Sequence, residues 1–119
     1  MKQPTRSPVI PAALAAVVLA GCHSAPRSTG PRALTSAELQ GQQIVQTHCA
    51  GCHHVDSDKT LIGPGLQGLF KKARLPDGAR ATDGYVRSKI ACGGSVMPAF
   101  GNTLNAQQMH DLLAFLHTV

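Results

Sequence analysis

The hydrophobic positions of this chain recur at the spacing of an α-helix, and no stretch alternates between apolar and polar residues as a β-strand does. We predict helices over residues 35–48 and 83–92, and a last helix that begins at Asn105. Turn-forming residues lie between them, notably Gly63-Pro64-Gly65 and Leu75-Pro76-Asp77-Gly78. The pattern therefore indicates an all-α domain with long loops.

Capping signals place the ends of these helices. Thr35 and Glu38 have the spacing of a capping box, and Asn105 and Gln108 repeat that spacing at the last helix. The short middle helix is predicted to end at Gly93-Gly94, because glycine commonly follows the last turn of a helix.

The first and last helices each have a face that we expect to be buried. A glycine inside a helix costs ~1 kcal/mol relative to alanine, so Gly41 predicts a close approach by another helix. The expected inward residues are Leu34, Gly41, Ile44 and Val45 in the first helix, and Met109, Leu112, Leu113 and Leu116, flanked by Phe115, in the last.

The amino terminus has the pattern of an export signal. Two basic residues, Lys2 and Arg6, precede an apolar run over residues 12–20. This run is too short for a membrane-spanning helix, which needs about 20 residues. Leu19-Ala20-Gly21-Cys22 follows the pattern of the lipobox of bacterial lipoproteins, in which cleavage precedes a lipidated cysteine.

This pattern predicts three segments. Residues 1–21 would be a lipoprotein signal peptide, residues 22–34 a lipidated Cys22 followed by a flexible tether, and residues 35–119 the folded domain. We therefore expect a domain anchored to a bacterial membrane by lipid, on the periplasmic or other extracytoplasmic side. An unmodified Cys22 after ordinary cleavage is the alternative.

The charge of the predicted mature chain is modest. From Cys22 onward nine basic residues face six acidic ones, a formal charge of +3. The whole chain has one tyrosine, three phenylalanines and no tryptophan, so it is poor in aromatic side chains on which bases could stack. We predict no nucleic-acid partner.

Cys49-Ala50-Gly51-Cys52-His53 is the strongest chemical signal in the chain. Two cysteines three apart can bind the vinyl groups of a haem as thioethers, and the adjacent histidine is placed to ligate the iron. A zinc site needs four ligands, and the chain has no second cysteine pair. A dithiol redox centre expects a strand before the motif, where here a helix is predicted. The motif predicts one covalent haem c.

The second axial ligand has several candidates in the sequence. Met97 precedes Pro98, which holds the residue before it extended, and Gly93-Gly94 leaves room for the loop to approach the haem. Met109 lies on the apolar face of the last helix, where packing is the simpler interpretation. We predict Met97 as the ligand; the other candidates are Met109, His23, His48, His54, His110 and His117.

From about Thr35 onward the chain resembles a small bacterial class I cytochrome c with one haem. The order of a helix, Cys-x-x-Cys-His, Gly-Pro-x-Leu, a short helix, Met-Pro-x-Phe and a final helix is similar to that family. The resemblance implies a cytochrome c-like fold in which three main helices and long loops surround the haem.

The resemblance also implies roles for individual residues. The carbonyl of Pro64 would accept a hydrogen bond from the ring of His53 and so fix its orientation. Leu66 and Phe70 would pack around the haem, and Phe100 would lie near its distal side.

Two further features of the sequence bear on the resemblance. Gly41 and Phe115 match the positions at which the family's first and last helices cross, but Val45 stands where the family often has an aromatic residue. The aromatic donors to the haem propionates are largely missing. Lys72 or Arg74 could replace them or could be solvated charges. Tyr85 is assigned to helix packing, and a propionate donor is the alternative.

Cys92 has no partner once the other three cysteines are used. We expect it to be a buried small side chain near the Met97 loop, and a disulfide with a partner protein is the alternative.

The sequence predicts an electron carrier and not an enzyme. His53 and Met97 would hold the iron, and the partners would be redox proteins that give and accept electrons. The alternatives are a haem peroxidase or gas sensor in which Met97 is displaced, and a fixed electron-entry subunit of a dehydrogenase or oxidase complex.

Overall fold

The computed structural model describes residues 31–119. Within that range the chain forms helices α1 (Ser36–His48), α2 (Asp83–Cys92) and α3 (Ala106–Leu116), together with a short 3₁₀ helix, Leu69–Lys71. These residues contain no β-strand. The prediction of an all-α domain with three main helices and long loops is confirmed.

The first and last helices begin where the capping signals placed them. The Thr35 hydroxyl accepts from the Glu38 N–H at 3.3 Å, and the Glu38 carboxylate accepts from the Thr35 N–H at 2.7 Å. Asn105 and Gln108 form the same reciprocal pair, with both distances 2.9 Å. Each box satisfies backbone N–H groups that a helix start leaves without partners.

Helix α2 ends in a glycine that no other residue could easily replace. The N–H of Gly93 donates to the Lys89 carbonyl at 2.8 Å, and the φ of Gly93 is 73°, in the left-handed region. A Cβ at this position would lie 2.5 Å from the carbonyl oxygen of Met97. The end of α2 and the path of the following loop are therefore set by the same residue.

Helices α1 and α3 cross in close contact. A Cβ built on Gly41 would lie 2.0 Å from the carbonyl oxygen of Asp111 and 2.7 Å from the Cβ of Phe115. Gly41 is thus the point of closest approach, and Phe115 lies against it, as the sequence predicts. Val45 and Leu112 are almost completely buried beside this crossing.

A single apolar cluster joins the helices to the loops. Helix α1 contributes Val45 to this cluster, and α2 contributes Val86 and Ile90. Helix α3 contributes the largest number of buried side chains. Its buried members are Val45, Leu66, Leu69, Val86, Ile90, Leu104, Met109, Leu112, Leu113, Phe115 and Leu116. Met109 is a core residue, which agrees with its assignment from the sequence.

His117 connects three elements of the fold. Its Nε2 lies 2.8 Å from the carboxylate of Asp83, the first residue of α2. Its ring stacks on Phe70 of the 3₁₀ helix, with centroids 3.8 Å apart and planes 12° from parallel. His110 of α3 is exposed, and its Nδ1 lies 3.2 Å from the carboxylate of the neighbouring Asp111.

The predicted signal peptide and Cys22 lie outside the described residues. Of the predicted tether, residues 31–34 are described, and they contact the domain. The guanidinium of Arg32 pairs with the Glu38 carboxylate through two hydrogen bonds of 2.7 and 2.8 Å, and Leu34 packs against the core. The contacts of the domain therefore begin before Thr35. No helix within residues 31–119 has the length and apolar character needed to cross a membrane.

Candidate haem site

One apolar cavity of about 330 Å³ brings together most of the predicted site residues. Cys49, His53, Pro64, Leu66 and Met97 all lie in its wall, although they come from separate segments of the chain. The wall consists of Cys49, His53, Pro64, Leu66, Leu69, Leu75, Pro76, Asp77, Tyr85, Val86, Lys89, Ile90, Gly94, Ser95, Val96, Met97, Leu112 and Leu116.

A second depression, of about 630 Å³, also touches His53 but has a different character. Its lining includes Gln42, Gln46, His54 and Asp56, and neither Cys49 nor Met97 takes part. A flat aromatic ring system fits an apolar wall better than a polar one, so we assign the smaller apolar cavity to the cofactor.

The cysteine pair lies in a tight turn at the end of α1. Cys49 caps the helix, and its carbonyl accepts from the N–H groups of Cys52 and His53, both at 2.9 Å. Both thiols are free and half-buried. Burial raises the pKa of the Cys49 thiol to about 11, with the neighbouring Cys52 as the second cause. Before attachment this thiol is therefore protonated at neutral pH.

The ring of His53 is held in one orientation. Its Nδ1 lies 2.7 Å from the carbonyl oxygen of Pro64, the contact that the resemblance implied. Because a carbonyl only accepts, Nδ1 carries the proton, and the lone pair of Nε2 is left to bind a metal.

Gly63 makes room for this ring. A Cβ on Gly63 would lie 2.3 Å from Cε1 of His53, and the Gly63 N–H donates to the Cys52 carbonyl at 2.8 Å. A side chain at position 63 would displace the imidazole. From the sequence this glycine is predicted only to be part of a turn. Its role beside the His53 ring depends on a contact between residues ten positions apart, which the sequence pattern does not show.

Met97 projects from a loop that is fixed to α2. The Gly94 N–H donates to the Met97 carbonyl at 2.9 Å, and the Phe100 N–H donates to the Ile90 carbonyl at 3.0 Å. The Met97 side chain is half-buried and lines the cavity. Met97 therefore lies in the same cavity wall as His53.

Phe70 and Phe100 lie beside the cavity and do not belong to the residues that line it. Phe70 stacks on His117, and Phe100 meets the ring of His48 edge-on with centroids 5.7 Å apart. Leu66 does line the cavity. Direct contact of the two phenylalanines with the haem stays a prediction.

The two basic residues proposed as propionate partners bind backbone groups elsewhere. Lys72 Nζ donates to the Gly65 carbonyl at 2.9 Å, and the Arg74 guanidinium donates to the Gly78 carbonyl at 2.7 Å. Neither residue lines the cavity. Both side chains fix loops, so the expectation that one of them meets the propionates has no support in this geometry.

Three other polar side chains stand in the cavity wall. The Tyr85 hydroxyl donates to Asp77 Oδ2, and Lys89 Nζ lies 3.5 Å from the same oxygen. The hydrogen bond from Tyr85 lowers the pKa of Asp77, and the same bond raises the pKa of Tyr85. Tyr85 is thus more than a packing residue. The sequence offered one signal for this group: Lys89 follows Tyr85 by one helical turn.

Cys92 is exposed, so the prediction of a buried side chain is wrong. Helix α2 buries Val86 and Ile90, and each residue advances about 100° around a helix. Cys92 stands two residues after Ile90, which turns it about 200° to the outer face.

The residues present fit a covalent haem better than a metal ion alone. Across residues 31–119 no group of three or more His, Cys, Asp or Glu side chains could hold a metal ion, which counts against the zinc alternative. Cys49, the oriented imidazole and the apolar wall lie at the same cavity, and Cys52 lies in the same tight turn as Cys49.

Comparison with known proteins leads to the same family. The family model described as Cytochrome c matches residues 38–119. A "Cytochrome c6-like" protein of Nostoc sp. is 30% identical over 86 residues, which cover 72% of this chain and 74% of the relative. A "Cytochrome c6" of Rippkaea orientalis is 28% identical over the same length and the same shares of both chains. A "Cytochrome c6" of Diacronema lutheri is 26% identical over 76 residues, covering 64% of this chain and 88% of the relative.

The match of the family model spans well over half of the chain, and it includes the cysteine pair, His53 and Met97. The chain therefore belongs to the cytochrome c family and binds one haem c through Cys49 and Cys52 as an electron-transfer protein.

Proposed function

We propose that this protein is a membrane-tethered carrier of single electrons whose haem iron is held by His53 and Met97. The observation that supports it is that both side chains line one apolar cavity together with Cys49. Imidazole nitrogen and thioether sulfur are the ligand pair typical of cytochromes c with a raised reduction potential.

The haem supplies a one-electron change of oxidation state at its iron. The protein's own residues keep the surroundings constant during that change. Pro64 fixes the ring of His53 at 2.7 Å, and the hydrogen bonds of the Met97 loop to α2 hold the other ligand. With both ligands held, transfer needs little rearrangement of the chain. The apolar wall limits the access of water.

The partners are redox proteins that give and accept electrons. Val96, next to Met97 in the cavity wall, is 76% exposed, so an apolar side chain at the edge of the cavity faces solvent. A small contact of this kind suits the brief encounters of electron-transfer proteins.

The tether rests on the sequence of the amino terminus. A lipid on Cys22 would keep the domain near the extracytoplasmic face of a bacterial membrane. Confinement of this kind raises the local concentration of carrier around membrane-bound partners.

The ligand assignment is tested by replacing Met97 with alanine. Ferric haem with a methionine ligand has a weak far-red absorption band, which we expect in the wild-type protein and not in Met97→Ala. Met109→Leu is the matched control, because Met109 is a buried core residue away from the cavity wall and leucine keeps its volume. An unchanged spectrum in Met97→Ala would overturn the assignment.

The same spectra separate the carrier from a haem enzyme or gas sensor. Of the residues in the cavity wall, all within the described chain, His53 is the sole histidine, so no second one lies there for acid–base chemistry. A five-coordinate spectrum in the wild-type protein would favour the enzyme or sensor. Stoichiometric co-purification with a larger complex would instead indicate a fixed subunit.

A further inference from the structure

Apart from His53 and Ser95, the polar side chains of the cavity wall are gathered at one place. Most of the side chains in the wall are leucine, isoleucine, valine, proline or methionine. Asp77 and Lys89 are its charged members, and Tyr85 lies between them in the sequence. A carboxylate, a phenol and an ammonium group gathered in an apolar wall indicate a polar contact with whatever occupies the cavity.

Asp77 holds the other two side chains in place. Its Oδ1 accepts the N–H of Ala79 at 3.1 Å, which fixes the carboxylate within its own turn. Its Oδ2 accepts from the Tyr85 hydroxyl and lies 3.5 Å from Lys89 Nζ. The ammonium group also stands 5.7 Å from the centre of the Tyr85 ring, within reach of a cation–π contact.

The number of free hydrogen-bond donors in this group then favours Lys89 as the partner of a carboxylate in the cavity. A haem has two carboxylate side chains, which are anionic at neutral pH and need donors or water. The one proton of the Tyr85 hydroxyl is already given to Asp77. The ammonium group of Lys89 has three protons, and its contact with Asp77 uses one of them. Among the described residues that line the cavity, Lys89 is also the sole lysine or arginine.

We propose that Lys89 is the residue that binds a haem propionate, and that Asp77 and Tyr85 position its ammonium group for that contact. This inference rests on the haem lying in the cavity and extends the proposed function to the tuning of its reduction potential. It does not depend on the identity of the distal ligand. A cation close to the haem favours the reduced state, because reduction adds negative charge at the iron.

The test is the midpoint potential of the haem-loaded protein, measured by spectroelectrochemistry at low ionic strength. For Lys89→Gln we expect the equilibrium constant for reduction to fall roughly three- to tenfold, as loss of one nearby unit charge implies. Lys89→Arg keeps the charge and should stay close to the wild-type value.

Arg87→Gln is the matched control. Arg87 lies on the same helix, is exposed and does not line the cavity, so its loss changes net charge equally at a position away from the haem. Its effect should be less than half that of Lys89→Gln. Equal effects of the two variants, or no effect of Lys89→Gln, would overturn the proposal.

The positioning role of Asp77 has its own measurement. In an Asp77→Asn background, replacing Lys89 by glutamine should change the potential less than it does in the wild-type protein, because the ammonium group is no longer held. An undiminished effect would show that Asp77 does not position Lys89.

The far-red band, recorded on the same samples, keeps this inference separate from the proposed function. If the band is present in the wild-type protein and Lys89→Gln leaves the potential unchanged, the propionate contact is wrong and the carrier stands. If the band is absent but Lys89→Gln lowers the potential, the ligand assignment is wrong and the propionate contact stands.

Discussion

At the scale of single residues, glycine decides two contacts through its lack of a side chain. Gly41 admits the backbone of α3, and Gly63 admits the ring of His53. Neither glycine has a positive φ. Each position therefore requires a glycine because there is no space for a side chain, and not because of the backbone conformation. The first could be predicted, because a glycine inside a helix has a cost that needs a reason. The second could not, because a glycine in a turn already has a local explanation.

We expect Gly41→Ala to destabilise the protein by about 2 kcal/mol or more, the usual cost of forcing atoms into a packed core. The new Cβ would lie 2.0 Å from the Asp111 carbonyl oxygen, and backbone cannot turn aside as a flexible side chain does. The measurement is the free energy of unfolding in denaturant.

Gly84→Ala is the control for this change. Gly84 is also helical, but a Cβ there would meet nothing within 4 Å. This variant should be stabilised by up to about 1 kcal/mol, the difference in helix propensity. Equal effects of the two substitutions would contradict the close approach at Gly41.

Other residues of the site show where sequence patterns stop being informative. The motif around Cys49 identified the cofactor because its chemistry lies in adjacent residues, and the residues around Met97 suggest the proposed ligand for the same reason. The role of Lys89 is not visible in the sequence because it depends on Asp77, which lies twelve positions earlier in the loop before α2. Lys72 and Arg74 are candidates on charge alone, with solvated side chains as an equal alternative, and both bind backbone carbonyls.

At the scale of elements, the helix boundaries were predictable because caps are local. Each capping box joins residues three apart, so the sequence contains both partners together. The pairing of Arg32 with Glu38 was not foreseen, since the segment before Thr35 has no apolar periodicity and was taken for a tether.

The pair at Arg32 predicts a dependence of stability on pH. The Arg32 guanidinium, together with the Thr35 N–H, lowers the pKa of Glu38 from 4.5 to about 2. A carboxylate with a lowered pKa in the folded state stabilises the fold above its ordinary pKa, and this contribution is lost as the pH falls from about 4.5 to about 2.

We therefore expect Arg32→Gln to lower the unfolding free energy near neutral pH and to have little effect at pH values near the lowered pKa. Thermal unfolding followed across this pH range is the measurement. Arg80→Gln is a suitable control, because Arg80 is exposed and forms no ion pair within the described residues. An effect of Arg32→Gln that is the same at all pH values would refute the linkage to Glu38.

At the scale of the whole molecule, the order of motifs along the chain was enough to predict the fold. The contacts that close the molecule were not predictable, since they join distant positions. His117, for example, meets Asp83 and Phe70. Such pairs follow from how the helices and loops pack against one another, and the sequence does not state that packing.

The proposed tether predicts a covalent lipid on the protein. Cys22→Ser removes the site of lipidation, so we expect cells supplied with labelled palmitate to label the wild-type protein and not this variant. Cys92→Ser also removes a thiol, but an exposed one far along the chain, and should still be labelled. Equal labelling of the wild-type protein and Cys22→Ser would argue against the anchor.

The unequal packing of the three helices has a consequence for how the protein matures. Helix α1 crosses α3 in extensive contact, whereas α2 meets α3 at few points and faces the cavity. In a chain that lacks both attachment thiols, Cys49→Ala/Cys52→Ala, amide hydrogen exchange should be slow in α1 and α3 and fast in α2. Equally slow exchange in all three helices would disprove this. If α1 and α3 are protected and α2 is not, the paired helices form a scaffold that offers the two sulfur atoms to the attachment machinery. Helix α2 and the loop that contains Met97 would then close over the porphyrin last.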